Sequence, residues 1–183
     1  MWAALASFIL FRVWGWKVVG DFPRQLKKYI VVVGPHTSNW DFPFGILLRT
    51  IRHVDVKFIG KSSLFRPPFG AIFRALGGYP VDRSKSNNFV DAVVDIFNSK
   101  SEFIVAITPE GTRKKVTEFK TGFYYIALGA KVPLISAIID YGTKTVTLTE
   151  PYYPTGNKDV DFEHILNHFR GIKGKNPENG VFF

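Results

Sequence analysis

From about residue 29 onward, short apolar runs rich in Val and Ile alternate with stretches of helical spacing, and this alternation restricts the chain to few architectures. Tyr29–Val33, Val56–Gly60, Tyr79–Val81, Glu102–Thr108, Leu134–Asp140 and Thr143–Leu148 read as strands. Asp41–Arg52, Pro68–Leu76, Asn87–Ser99, Thr121–Ala130 and Val160–Phe169 read as helices. Strand and helix in alternation predict an α/β layer fold: one domain with a central, largely parallel mixed sheet flanked by helices. The last two strands can form a hairpin turning at Tyr141-Gly142, and the tail Gly171–Gly180 reads as a loop from its Gly, Lys, Asn and Pro.

A chain of 183 residues is about one domain and long enough for a sizeable core. Its hydrophobic content of 46%, with 18 Phe, excludes a disordered chain. With no Cys, disulfides and thiolate metal sites are excluded, and the redox compartment stays open. His164 and His168 stand at helical i, i+4 spacing, but no Glu follows the first His as a zinc-protease helix requires. A solvated helix face is expected there, and no metal.

The net charge of +9 is uneven: residues 1–74 hold 11 Lys/Arg against 3 Asp/Glu, and residues 75–183 hold 13 against 12. A basic half suits nucleic acid or an anionic membrane surface equally, so its neighbours decide. Those neighbours are the apolar stretch Met1–Phe11 and then Arg12, Trp14, Trp16 and Lys17. Eleven largely apolar residues fall short of the roughly 20 that span a bilayer. The cations follow the apolar run, where a secretory signal would place them before it. Trp beside Lys and Arg suits the headgroup layer, so an interfacial helix is expected, with a helix packed on the domain's own core as the alternative. The division read from sequence is residues 1–28 as a membrane-interface arm and 29–183 as the catalytic domain.

Three strings carry chemistry. His36 lies just past Ile30-Val-Val-Val33 and just before a helix whose N-cap is Thr37, Ser38 or Asn39. Asp41, in the first turn, can fix one imidazole nitrogen and leave the other to take a proton from a hydroxyl. The alternative is that Asp41 only satisfies the helix N-terminus. Pro109-Glu110-Gly111-Thr112-Arg113 follows the apolar run Phe103–Ile107, with Lys114 and Lys115 behind it. A guanidinium there can hold a phosphate bidentately, Glu110 can orient that fork, and Gly111 allows close backbone approach. The alternative is a turn with a solvated basic patch. Arg83, after Tyr79-Pro-Val-Asp82, and Lys61, after strand Val56–Gly60, are further cations for the same anion. The surplus of Phe and Leu between the first two motifs, including Phe42, Phe44, Leu47, Phe58, Leu64, Phe65, Phe69, Phe73 and Leu76, fills a core and can line a slot for a fatty acyl chain.

Together and in this order, His36-x4-Asp41, Gly60-Lys61-Ser-Ser-Leu-Phe65, Gly78-Tyr-Pro-Val-Asp-Arg83, Pro109-Glu-Gly-Thr-Arg113 and Val132-Pro-Leu-Ile135 resemble the membrane-associated glycerolipid acyltransferases, and within them the bacterial 1-acyl-glycerol-3-phosphate acyltransferases. The resemblance runs from about Tyr29 to Ile138. It implies that His36, held by Asp41, acts as general base on the acceptor hydroxyl, which attacks an acyl-carrier-protein or acyl-coenzyme A thioester without an acyl-enzyme. It implies that Lys61, Arg83 and Arg113 hold the acceptor's phosphate, that Glu110 braces that loop, and that no metal or bound cofactor takes part. The enzyme is then peripheral on the cytoplasmic face of the inner membrane, and nucleic acid is not an expected partner. Pro35 stands where many lysophosphatidate enzymes carry Asn, which keeps other lyso-lipids, including lyso-ornithine and lyso-glycine lipids, open as acceptors.

Two other classes compete. A basic membrane- or nucleic-acid-binding module accounts for the charge and the arm but gives no reason for His36, Asp41 and Glu110 to occupy strand-end loops. A hydrolase lacks its Gly-x-Ser-x-Gly elbow here, and no Gly-x4-Gly-Lys-Ser/Thr loop occurs.

Overall fold

The computed structural model describes residues 2–81 and 86–180. Strands β1 (Lys17–Val19), β2 (Lys28–Gly34), β3 (Val56–Lys61), β4 (Gly78–Val81), β5 (Phe103–Ile107), β6 (Leu134–Asp140) and β7 (Thr145–Leu148) form one sheet in the order β1-β7-β6-β2-β5-β3-β4. Neighbours run parallel except β6 and β7, which form the antiparallel hairpin. The α/β expectation and the hairpin are both realised. Helices α1 (Trp2–Ser7, continuing as a π-helical stretch Phe8–Val13), α2 (Asp41–Arg52), α3 (Gly70–Ala75), α4 (Ser86–Ser99), α5 (Gly122–Ala130) and α6 (Lys158–Asn167) complete the described elements, with 3-10 turns at Ser62–Phe65 and Pro177–Asn179.

Strand β2 sits between β5 and β6 and is covered on both faces, which is why it reads as an unbroken apolar run. Successive side chains alternate faces, so Ile30 and Val32 join the core shared with α4, α5 and α6, while Tyr29 and Val31 join the core shared with α2 and the N-terminal helix. Phe97, Phe123 and Tyr124 anchor the first core, and Leu10, Trp16 and Phe44 anchor the second. Each fully buried side chain of this size contributes roughly 1.5–3 kcal/mol.

The segment 1–28 is woven into the domain. Strand β1, absent from the sequence reading, pairs with β7, and Leu10, Trp16 and Phe22 are core residues. Among the described residues no helix is long and apolar enough to cross a membrane. Trp2, Leu5 and Phe8 are nonetheless exposed on the same helix.

Because β2 to β6 all run the same way, the residues that follow them emerge along one edge of the sheet. His36 follows β2, Glu110 follows β5 and Tyr141 follows β6, and these three strands are neighbours.

Candidate active site

The loop from β2 into α2 carries His36 and Asp41. His36 Nδ1 lies 3.0 Å from Asp41 Oδ2, off the straight line of a strong hydrogen bond, and has no other partner. The imidazole is 14% exposed and the carboxylate 2%, so the ring is the half of the pair that a substrate can reach. With Nδ1 turned to Asp41, Nε2 is the nitrogen available for a proton.

Asp41 is held on both oxygens. The Ser38 amide donates to Oδ2 at 3.0 Å, and the Tyr141 hydroxyl donates to Oδ1 at 2.8 Å. Its place in the first turn of α2 adds the favourable end of the helix dipole. Tyr141 in turn has its phenol pushed far above the ordinary range, first by burial and then by the Asp41 carboxylate.

The N-cap departs from the sequence reading: Trp40 occupies that position without a side-chain cap bond. Ser38 Oγ instead accepts from the Trp40 amide at 3.2 Å, and Thr37 Oγ1 accepts from the Asn176 amide at 3.1 Å. Both hydroxyls are buried and committed to the scaffold, and neither is presented as a nucleophile.

Glu110 is 2% exposed and faces His36, its Oε1 accepting the His36 amide at 2.9 Å. The expectation that Glu110 orients the Arg113 fork is therefore corrected: its carboxylate braces the histidine loop, joining residues 74 apart in sequence. Burial raises its pKa, against donors from the His36 and Glu110 amides that lower it. Oε2 is buried without a partner.

Of the cations, those of the loop after β5 are described. Gly111 adopts φ +64°, a backbone region that glycine enters freely, and an added Cβ would meet Lys120 Nζ at 2.9 Å. Thr112 Oγ1 accepts from the Lys114 amide, closing the turn, and Arg113, Lys114 and Lys115 are exposed beyond it. Lys61 ends β3 opposite Val81, but its side chain, like the whole of Arg83, lies outside the described part of the structure. Lys120 beside Gly111 is a cation that sequence reasoning passed over, since it stands seven residues after Arg113.

An open apolar hollow of about 370 Å³ lies against α2, lined by Ile9, Trp14, Trp40, Phe42, Leu47 and Leu76 among others. Trp40 and Phe42, which line it, flank Asp41 in sequence. Of the apolar residues singled out above, Phe42, Leu47 and Leu76 line it, Phe44 and Phe65 are core, and Leu64 and Phe69 are exposed. Of the two histidines expected on a solvated helix face, His164 is exposed, with its ring stacked on Tyr152 at 4.0 Å, while His168 is half-buried, its Nδ1 2.9 Å from Ser136 Oγ.

Sequence reasoning also missed the tail. Asn176 donates from its amide and its side chain to Thr37, Lys175 Nζ sits 4.6 Å from the Trp40 ring centroid, and the Tyr141 amide donates to Lys173 O. The loop reading of Gly171–Gly180 says nothing of this, because Thr37 and Trp40 are more than a hundred residues away and Tyr141 is 32 away.

A mostly parallel α/β sheet thus presents a braced His–Asp pair at its strand ends. The chain belongs to the acyltransferase family, whose model, described as Acyltransferase, matches residues 16–140. Among similar proteins, the 1-acyl-sn-glycerol-3-phosphate acyltransferase of Salmonella typhimurium is 28% identical over 145 residues, covering 74% of this chain and 58% of the relative. That of Escherichia coli is 25% identical, with 74% and 58% covered, and the human beta enzyme is 26% identical, with 75% and 51% covered. The chain thus spans little more than half the length of these relatives. The crystal structure of the 1-acyl-sn-glycerophosphate (LPA) acyltransferase from Thermotoga maritima shares the fold, with a TM-score of 0.59 at 23% identity over 91% of this chain and 73% of that one.

Proposed function

We propose that this chain moves a fatty acyl group from an acyl thioester to the free hydroxyl of a lyso-glycerolipid, with 1-acyl-sn-glycerol-3-phosphate as the acceptor and phosphatidate as the product. The observation that carries the reading is the His36–Asp41 pair, braced at the strand ends by Ser38, Tyr141 and Glu110; an apolar hollow lies against the helix that Asp41 opens. His36 Nε2 takes the acceptor's hydroxyl proton as the oxygen attacks the thioester carbonyl. The C–O bond forms, the C–S bond breaks, and the departing thiolate receives the proton from the imidazolium. No residue is acylated, and no metal or bound cofactor enters.

The acyl chain occupies the hollow, whose volume falls within the range of ligand sites. The acceptor phosphate is held by Arg113, with Lys61 and Arg83 as further cations. The donor is an acyl carrier protein or coenzyme A thioester. The enzyme sits peripherally on the cytoplasmic face of the inner membrane, drawn by the basic first half of the chain and by exposed Trp2, Leu5 and Phe8. The names of the relatives support this acceptor.

The test is a panel: labelled acyl-coenzyme A and acyl carrier protein with lysophosphatidate, other lysophospholipids and lyso-aminolipids. Transfer to lysophosphatidate is the expected result. Transfer to a lyso-aminolipid alone keeps the chemistry and makes the cations carboxylate ligands, and no transfer to any acceptor refutes the reading.

A further inference from the structure

Resting on the acyl-transfer reading above, we infer that Tyr141 is the positioning residue of the reaction: its hydroxyl fixes the Asp41 carboxylate that orients His36. The hydroxyl donates to Asp41 Oδ1 at 2.8 Å, while Oδ2 takes the Ser38 amide and faces His36 Nδ1. Without the phenol, one oxygen of a carboxylate that is only 2% exposed has no donor, and the carboxylate can turn about its bond to Cβ.

The rest of the residue is built to hold that hydroxyl still. Its amide donates to Lys173 O at 2.9 Å, and the Trp16 ring packs edge-on at 4.9 Å, itself packed on Phe44 of α2 at 4.5 Å. The neighbouring Asp140 is turned away, its carboxylate closing the hairpin turn on the Gly142 amide and the Thr143 hydroxyl.

The ionisable groups around the pair come from three elements: His36 and Asp41 from the β2–α2 loop, Glu110 after β5, and Tyr141 after β6. Glu110 hydrogen-bonds the His36 amide and meets the pair only through space, whereas Tyr141 hydrogen-bonds Asp41 directly and acts on the imidazole through it. A phenol that donates to the carboxylate draws part of its charge. Removing the donor returns that charge to the imidazolium and raises the proton affinity of His36.

Tyr141→Phe keeps the ring and its packing. The variant and the parent are compared by kcat and KM for acyl transfer across pH, by thermal unfolding, and by NMR titration of the His36 ring, assigned with His36→Gln. The expected result is a kcat lower by about tenfold or more, the size of one charge-assisted hydrogen bond, with KM unchanged. The His36 titration and the acid limb of kcat/KM both move to higher pH. A His36 titration that stays in place or moves down, or a parental kcat, overturns the inference whatever the change in unfolding temperature. If the parent transfers no acyl group, the functional reading fails by itself, and the NMR titration still decides whether Tyr141 governs the pair.

Discussion

Asp41 accepts from the Ser38 amide and the Tyr141 hydroxyl before any substrate arrives, so the geometry of His36 is set by the protein rather than induced. A second buried carboxylate shows the same physics used for stability. Asp161 accepts from the Tyr152, Thr155 and Tyr124 hydroxyls and from the Thr155 and Gly156 amides. Burial pushes its pKa up, but these donors outweigh burial and hold it at about 2. A depressed folded pKa contributes stability that is present above the unfolded value, near 3.8, and is lost as pH falls from there towards about 2. Asp161→Asn is expected to cost about 2–4 kcal/mol at neutral pH, since an amide cannot accept five donors, and to flatten the fall in stability below pH 4. Urea unfolding at pH 7 and pH 3 measures both. The spacing of His36 and Asp41 offered the pair without deciding it, and the order of the motifs that follow singled it out. Asp161 was not legible, because its donors sit on a helix, a bridge strand and a loop that only folding brings together.

At the scale of elements, the site is a product of parallel register. Strands β2, β5 and β6 are neighbours, so residues 36, 110 and 141 meet although nothing local joins them. The period-two alternation of β6 carries Tyr141 to the α2 side of the sheet, with Ile135, Ala137 and Ile139. That placement was latent in the sequence, but using it required the strand order. The tail then ties the arrangement down from outside: Gly174 presses on Thr37, where an added Cβ would meet Oγ1 at 2.5 Å, and Asn176 bonds the same residue twice. The N-terminal helix has two faces, with Ala6 and Leu10 buried and Trp2, Leu5 and Phe8 exposed. Removing residues 1–20 would therefore strip Leu10 and Trp16 from the core and test folding rather than attachment. Phe8→Asp tests attachment. It is expected to leave the unfolding temperature unchanged and to weaken binding to anionic vesicles by tenfold or more, the loss of about one buried aromatic side chain, as read by co-sedimentation.

For the molecule as a whole, alternation and length conveyed the layer architecture, because a strand buried on both faces must be apolar throughout and leaves a visible run. The three-residue β1 left no such run, half exposed and lying between Trp14-Gly-Trp16 and Gly20-Asp-Phe-Pro23. The chain concentrates its charge excess in the half that also carries the N-terminal helix with its exposed Trp2, Leu5 and Phe8, the His36–Asp41 pair and most of the lining of the apolar hollow. This layout suits a water-side base meeting a lipid-side hydroxyl. The measurement that bears most directly on it is single-turnover acyl transfer to lysophosphatidate in anionic vesicles by the parent and by His36→Ala, with thermal unfolding of both in parallel. Loss of a general base predicts a rate lower by about 10²–10⁴-fold at an unchanged unfolding temperature. Transfer by the variant at the parental rate would contradict the assignment of His36 as the base, and with it the account of the site.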